Sequence, residues 1–133
     1  MSIVMTRNIP AAIEQWQDIA HWFEIKLHQE MRNQLGRDKD ATLLNKGIIK
    51  GYRLGLSQAK KNLRLTRKGM PPVYTHASDA SETMQHFILN MRYKLKENYC
   101  DVPYNNRKKV YYHGQYRAFV IMARMQSWNK LNR

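Results

Sequence analysis

The chain has 133 residues, of which 43% are hydrophobic, so a single domain with a modest core fits it and a wholly disordered chain does not. The 23 Lys and Arg residues outnumber the ten Asp and Glu residues and give a formal net charge of +13. Such a surface favours a polyanion or an acidic protein face as partner, and no apolar run approaches the length of a membrane span.

Cys100 is the single cysteine of the sequence. It excludes an internal disulfide framework and cannot form a zinc-binding cysteine pair, and it lacks the local signature of a nucleophile. The N-terminal residues carry no apolar signal-peptide core. We therefore expect a soluble, cytoplasmic protein in a reducing compartment, with Cys100 as a structural or bystander thiol.

Apolar residues recur at steps of three and four in four segments, and no alternating strand pattern is convincing, which predicts an all-α protein. The first helix is predicted from about Pro10 to Leu35, because Pro suits a helix start and Gly36 suits the position just past its end. Its apolar stripe consists of Ile13, Trp16, Ala20, Phe23, Leu27 and Met31.

The second helix is predicted from about Ala41 to Arg67, where Gly69 and two prolines stop it. Its stripe consists of Ile48, Tyr52, Leu56, Ala59 and Leu63. The residues from Met70 to Ala77 are predicted to form an extended linker.

The third helix is predicted to begin with Ser78 or Asp79 as its N-cap and to break at Asn98. Its stripe consists of Met84, Phe87, Ile88, Met91 and Leu95. The fourth helix is predicted from about Arg107 to Leu131, and its stripe consists of Val110, Gly114, Ala118, Ile121, Met125 and Trp128.

The second and fourth helices share a local pattern at a constant offset of 59 residues: Tyr52, Gly55 and Ala59 match Tyr111, Gly114 and Ala118. The pattern predicts a single-domain bundle of about four helices, arranged as two tandem helical hairpins (halves 1–69 and 78–133, linker 70–77). The repeat suits a self-contained bundle or a swapped homodimer. Small residues at this spacing let a neighbouring helix approach closely, whereas Gly51 has no separate explanation.

The positive charge is confined to two of the four helices. Residues 36–77 carry a net charge of +8 and residues 103–133 carry +7, whereas the other two segments carry −1 each. On a helical wheel with Tyr52 at zero, the cations of the second helix fall between roughly 80° and 180°, away from its apolar stripe. The residues predicted to contact phosphates are Lys46, Lys50, Arg53, Lys60, Lys61, Arg64, Arg107, Lys108, Lys109 and Arg117.

Alternative interpretations remain for the cations of the second helix and for the tyrosines of the fourth helix. The acids of the first helix could pair with them, but four acids cannot neutralise ten cations, and Glu14 and Glu24 lie opposite their own apolar stripe. The tyrosines of the fourth helix, including Tyr111 and Tyr116, could stack on bases or could be half-buried core residues.

Other chemistry is discounted. His21, Glu24 and His28 share one helix face, but that face is the wet one, so no metal site is predicted. His113 beside tyrosines is a weak candidate for a nuclease base. The apolar face of the second helix is needed for the bundle, so membrane binding is not expected. We expect no enzymatic activity and no cofactor.

The sequence therefore predicts a small basic protein that binds DNA or RNA, mainly through its phosphates. The alternative is an inhibitor or adaptor of a phage or mobile element whose basic surface docks on an acidic host protein. Trp22 and Met70 would then be its exposed anchors.

Overall fold

The computed structural model describes residues 9–32, 39–70, 80–101 and 106–124. Within these ranges the chain forms four α-helices and no strands: α1 (Ile9–Arg32), α2 (Lys39–Arg67), α3 (Ala80–Asp101) and α4 (Asn106–Ala123). The predicted all-α helical bundle is confirmed.

Several of the predicted boundaries shift by one to a few residues. Helix α2 begins two residues before the predicted start, and α3 continues through Asn98 to Asp101. An asparagine is only mildly unfavourable inside a helix, whereas Pro103 disfavours helical geometry at the residue before it.

Helices α1 and α4 each begin one residue before the predicted start, and α2 ends at Arg67 as predicted. The described part of α4 ends at Ala123, before the predicted end, and Arg124 lies in a turn. The other predicted boundaries lie outside the described residues, as do several stripe and linker residues: Leu35, residues 71–79, Met125, Trp128 and Leu131.

The helices pack as two hairpins that meet through α2 and α4. Helix α2 packs against α1 and α4, and α3 packs mainly against α4 with a smaller contact to α1. Within the second hairpin the rings of Phe87 and Phe119 meet edge to face, with centroids 6.1 Å apart. The Gln85 amide donates a hydrogen bond of 3.1 Å to the carbonyl of Ala123, satisfying one of the free carbonyls at the end of α4.

The contact between α2 and α4 depends on small residues. A Cβ atom at Gly51 would lie 2.7 Å from the Cβ atom of Ala118, and one at Gly47 would overlap the carbonyl oxygen of Tyr111. The Cβ atom at Gly47 would also lie 3.0 Å from the Cα atom of Gly114. Residues four apart on α2 thus meet residues four apart on α4 in the same order, so the two helices run in the same direction here. This contact explains Gly51 and adds Gly47, which the sequence did not single out.

The two glycines of the repeated pattern have different neighbours. Gly55 lies under the buried ring of Phe23 on α1, and a Cβ atom there would lie 2.6 Å from the Cζ atom of that ring. Gly114 instead faces the backbone of α2 at Gly47 and Ile48. Both glycines permit close packing, but the local repeat does not place them in equivalent contacts.

The core combines the predicted stripes with a second set of residues. Trp16, Phe23, Tyr52 and Ile88 are almost completely buried, as the periodicity indicates, whereas Met31 is exposed. The buried residues outside the predicted stripes are Ile19, Asn45, Ile49, Asn62, Thr66, Ala80, Thr83, Gln115, Phe119 and Met122. Most of these belong to α2 and α4, the two helices with extensive contacts on two sides.

Helix α2 ends in a Schellman motif. The amide of Met70 donates to the carbonyl of Leu65 (2.9 Å), and the amide of Gly69 donates to the carbonyl of Thr66 (3.0 Å). Gly69 has φ of 72°, the left-handed conformation that this cap requires. The predicted stop at Gly69 therefore has a specific geometry.

Candidate nucleic-acid interface

Six predicted phosphate-contact residues form one exposed surface on α2. We call this surface the basic face; its members are Lys46, Lys50, Arg53, Lys60, Lys61 and Arg64. Ser57 lies within it, and Arg67 and Lys68 extend it; all three are exposed. At 1.5 Å per residue, Lys46 and Arg64 are about 27 Å apart along the helix axis.

Packing on two sides leaves only this sector of α2 open. The glycines at 47 and 51 face α4, while Gly55 and Tyr52 face α1. At 100° per residue, the buried positions of α2 cover about 200° of its circumference. The cations lie in the remaining sector, where no described helix packs against them and their charged groups reach water.

One member of the basic face has an internal partner. The Lys60 ammonium lies 4.0 Å from a carboxylate oxygen of Glu24 on α1, and both side chains are about half exposed. The sequence had suggested that Glu24 would point away from the bundle. Because Phe23 packs against Gly55, the next position on α1 lies on the flank that faces α2, and Glu24 reaches the edge of the basic face.

The other five members have no such partner among the described side chains. Their cationic groups have no described carboxylate within 4.0 Å: Lys46, Lys50, Arg53, Lys61 and Arg64. Like charges three and four residues apart on a helix destabilise it by roughly 0.2–0.5 kcal/mol per pair. The basic face is therefore a set of mutually repelling charges that an external anion would relieve.

The cations of α4 lie beside the first half of α2. Lys108, Lys109 and Arg117 are exposed, and the side chain of Arg107 lies outside the described residues. Since Tyr111 contacts Gly47, the first turns of α4 lie next to the Lys46 end of the basic face. The α4 cations therefore lie at the same level of the bundle as Lys46 and Lys50, whereas Lys60, Lys61 and Arg64 lie toward the other end of α2.

The tyrosines of α4 are half-buried. Tyr112 and Tyr116 pack against the core, and the rings of Tyr111 and Tyr112 lie 6.1 Å apart in a tilted arrangement. His113 beside them is also half-buried. Of the two interpretations that the sequence left open, the geometry favours core aromatics over exposed stacking platforms.

The structure also bears on the discounted chemistry. Among the described residues, no group of three or more His, Cys, Asp and Glu side chains is arranged to hold a metal ion. His28 instead places its Nδ1 atom 2.9 Å from the backbone carbonyl of Glu24. No helix in the described ranges has the length and apolar character needed to cross a bilayer.

Of the two anchors expected for a protein partner, one is packed inward. Trp22 meets the rings of Phe23 and Tyr52 edge to face, with centroids 5.1 Å and 6.2 Å away. This packing follows from α2 lying against the same flank of α1. Met70 is exposed, and so are Leu89 and Tyr93, one turn apart on α3.

Comparison of the chain with protein-family models, with curated proteins and with solved structures gives no significant match. The described residues form a four-helix bundle with one strongly basic face on α2. The proposals for its function therefore rest on geometry and charge.

Proposed function

We propose that this chain binds nucleic acid through the phosphate backbone, with the basic face of α2 as the main contact surface. The observation that carries the proposal is the row of five exposed cations without a described carboxylate partner. The row extends over about 27 Å of one continuous helix. Lys108, Lys109 and Arg117 on α4 would add contacts at one end, and Arg107 is placed with them by sequence.

Phosphates are the anions that this arrangement suits best. Steps of three and four residues separate neighbouring cations by about 5–6 Å along the helix, except between Arg53 and Lys60, where Ser57 interrupts the series and the step is about 10 Å. A rigid helix therefore presents two groups of positive charge to the solvent on one face. Each lysine or arginine that neutralises a phosphate releases condensed counterions, which makes the affinity steeply dependent on salt. Five contacts to a duplex predict a slope of log K against log salt of about −4.5.

Fluorescence anisotropy with a labelled, mixed-sequence DNA duplex from low to high salt tests the proposal. The variant Lys50→Glu/Arg53→Glu/Lys61→Glu reverses three central charges of the basic face. It should lose most of its affinity, and its slope should fall to about −2 because two of five contacts remain.

The matched control reverses three exposed cations on α3, in the variant Arg92→Glu/Lys94→Glu/Lys96→Glu. It changes the net charge by the same amount on another helix. Affinity that is lost in the α2 variant and largely kept in the α3 variant supports the proposal. The absence of binding by the wild type at low salt, both to the duplex and to its separated strands, or equal losses in both variants, would overturn it.

A second candidate function is docking on an acidic protein surface. The observation that favours it is the exposed pair Leu89 and Tyr93 on α3, which lies among the cations Arg92, Lys94 and Lys96. Exposed apolar anchors beside positive charge are typical of protein interfaces. Such a complex should persist at salt that dissociates nucleic acid, and Tyr93→Ala should weaken it.

A further inference from the structure

We infer that the nucleic acid bound by the basic face is double-stranded and is bound without base-specific contacts. This inference rests on the proposed function and adds the class of nucleic acid to it. It follows from which side chains the described structure exposes beside the cations and which it buries.

The basic face contains no aromatic side chain. Tyr52 is the single aromatic residue of α2, and it is completely buried under Trp22 and Lys26. Proteins that bind single strands combine a basic groove with aromatic side chains on which the bases stack, a contribution of roughly tenfold per base. A single strand on this face would find phosphate contacts but no described surface for its unstacked bases.

The nearest aromatics on α4 do not supply that surface. Tyr112 and Tyr116 are packed against the core, and Tyr111 and Tyr112 are close to each other. A duplex needs no such platforms because its bases are already stacked on each other. It offers sugar and phosphate along its outer surface, the part that lysine and arginine contact.

The shape of the basic face also suits a duplex. Its cations span about 27 Å along one helix axis, which equals the rise of about eight base pairs at 3.4 Å each. A duplex carries one charge per about 1.7 Å of its axis, twice the density of one strand, and it is already rigid. A flexible strand would lose conformational entropy on aligning with the helix.

The asparagine and glutamine side chains of α2, which could read bases, are turned inward. Asn45 and Asn62 are buried, and the half-buried Gln58 donates a hydrogen bond to the side-chain oxygen of Asn62 (3.2 Å). Asparagine, glutamine and arginine make most of the bidentate contacts to base edges. With both amide types withdrawn from the described surface of α2, Arg53 and Arg64 are the members of the basic face that can also read base edges. Four of its six cations are lysines, so phosphate contacts should dominate and sequence preference should be weak.

One exposed aromatic could support a different mode. Tyr93 on α3 is 58% exposed and has cations at neighbouring positions. A single strand that stacked on Tyr93 would use α3 rather than α2. The experiment therefore includes the variant Tyr93→Ala as well as the triple variant of the basic face.

The experiment measures anisotropy for a mixed-sequence DNA duplex, an RNA duplex and the separated strands, at equal length and salt. Each contact contributes about 0.9 to the salt slope on a duplex and about 0.7 on a single strand. If the duplex and the single strand bind with equal affinity at 1 M salt, five contacts make binding to the duplex about tenfold tighter than binding to the strand at 0.1 M salt. Tyr93→Ala should leave duplex affinity unchanged, and a second duplex of scrambled sequence should bind equally well.

Preference for either duplex over its strands, lost with Lys50→Glu/Arg53→Glu/Lys61→Glu, supports the inference. Strands that bind as tightly as the duplex, a loss of affinity in Tyr93→Ala, or strong preference for one sequence would overturn it and leave the proposed function standing. Absence of binding to every probe at low salt would overturn the proposed function and this inference with it.

Discussion

Gly47 and Gly114 face each other across the contact between α2 and α4, each occupying the space that a side chain on the other would need. A Cβ atom added to Gly47 would lie 3.0 Å from the Cα atom of Gly114, and one added to Gly114 would lie 2.9 Å from the Cα atom of Gly47. The obstacles are backbone atoms, which cannot move without separating the helices. This pair therefore sets the distance between the two basic helices.

Gly47→Ala and Gly114→Ala should each destabilise the protein by up to about 2 kcal/mol, because overpacking costs about 1–3 kcal/mol and the alanine restores about 1 kcal/mol of helix propensity. Because either methyl group forces the same helices apart, the double variant should cost less than the sum of the single variants. Urea unfolding measures the free energy of unfolding of the two single variants and of the double variant. Ser57→Ala, exposed on the same helix, is the control and should stay within about 0.5 kcal/mol of the wild type. A stabilised Gly47→Ala variant would contradict this packing.

Gly55→Ala should also destabilise the protein by about 1–3 kcal/mol, because its methyl group would press on the ring of Phe23. Phe23→Leu removes the edge of that ring, so the double variant should be more stable than the sum of the single effects predicts. Gly51→Ala combined with Phe23→Leu is the control, since Gly51 faces Ala118 instead. The destabilisation caused by Gly51→Ala and that caused by Phe23→Leu should add to within about 0.5 kcal/mol. If the Gly51 and Gly55 variants were coupled equally to Phe23→Leu, the contact between Gly55 and Phe23 would be contradicted.

Tyr52 should make the stability of the folded protein fall at alkaline pH. Burial raises the pKa of Tyr52, the charge of Glu30 raises it further, and its hydroxyl has no hydrogen-bond partner among the described residues. The unfolded tyrosine releases its proton near pH 10 while the folded one retains it. The stability is therefore fully present below pH 10 and falls above it, by up to about 1.4 kcal/mol per pH unit.

Urea unfolding of the wild type and of Tyr52→Phe, each between pH 9 and about 11, measures this effect. The variant should lack the additional decline and should be about 1 kcal/mol more stable at neutral pH, since a buried hydroxyl without a partner costs free energy. Tyr93→Phe changes an exposed tyrosine and should behave like the wild type. Identical pH profiles for the wild type and Tyr52→Phe would show that Tyr52 is not responsible.

Glu24→Gln should strengthen nucleic-acid binding by releasing Lys60 from its ion pair. One additional phosphate contact would steepen the salt slope on a duplex by about 0.9. Stability should change by less than about 1 kcal/mol, because both partners are half exposed and water screens the pair. Glu97→Gln on α3 makes the same change in net charge and is the control. Equal gains in the two variants would show that only overall charge matters.

The apolar periodicity was sufficient to predict the four helices and most of their buried stripes. Trp16, Phe23 and Ile88 are buried because their spacing places them on one side of a helix, whatever that helix packs against. The exposure of the basic face was predictable for the same reason. Its cations are spaced so that they lie opposite the apolar stripe of α2, and charged side chains favour water.

Periodicity detects a single apolar stripe and does not show how many neighbours a helix has. Helices α2 and α4 each pack on two sides, so Asn62, Phe119 and Met122 are buried without belonging to the predicted stripes. The local sequence around a glycine likewise does not show which residue of another helix packs against it. Gly55 and Gly114 occupy matching positions in the repeated pattern, yet one faces a phenyl ring and the other a backbone.

The sequence by itself determined the all-α class, the concentration of positive charge on two helices and the side of α2 on which it lies, because these follow from spacing along one helix. Only the tertiary structure decided that Gly47 meets Gly114, that Trp22 packs inward and that Glu24 reaches Lys60. Each of these depends on the relative position of two helices, and residues far apart in the chain set that position jointly.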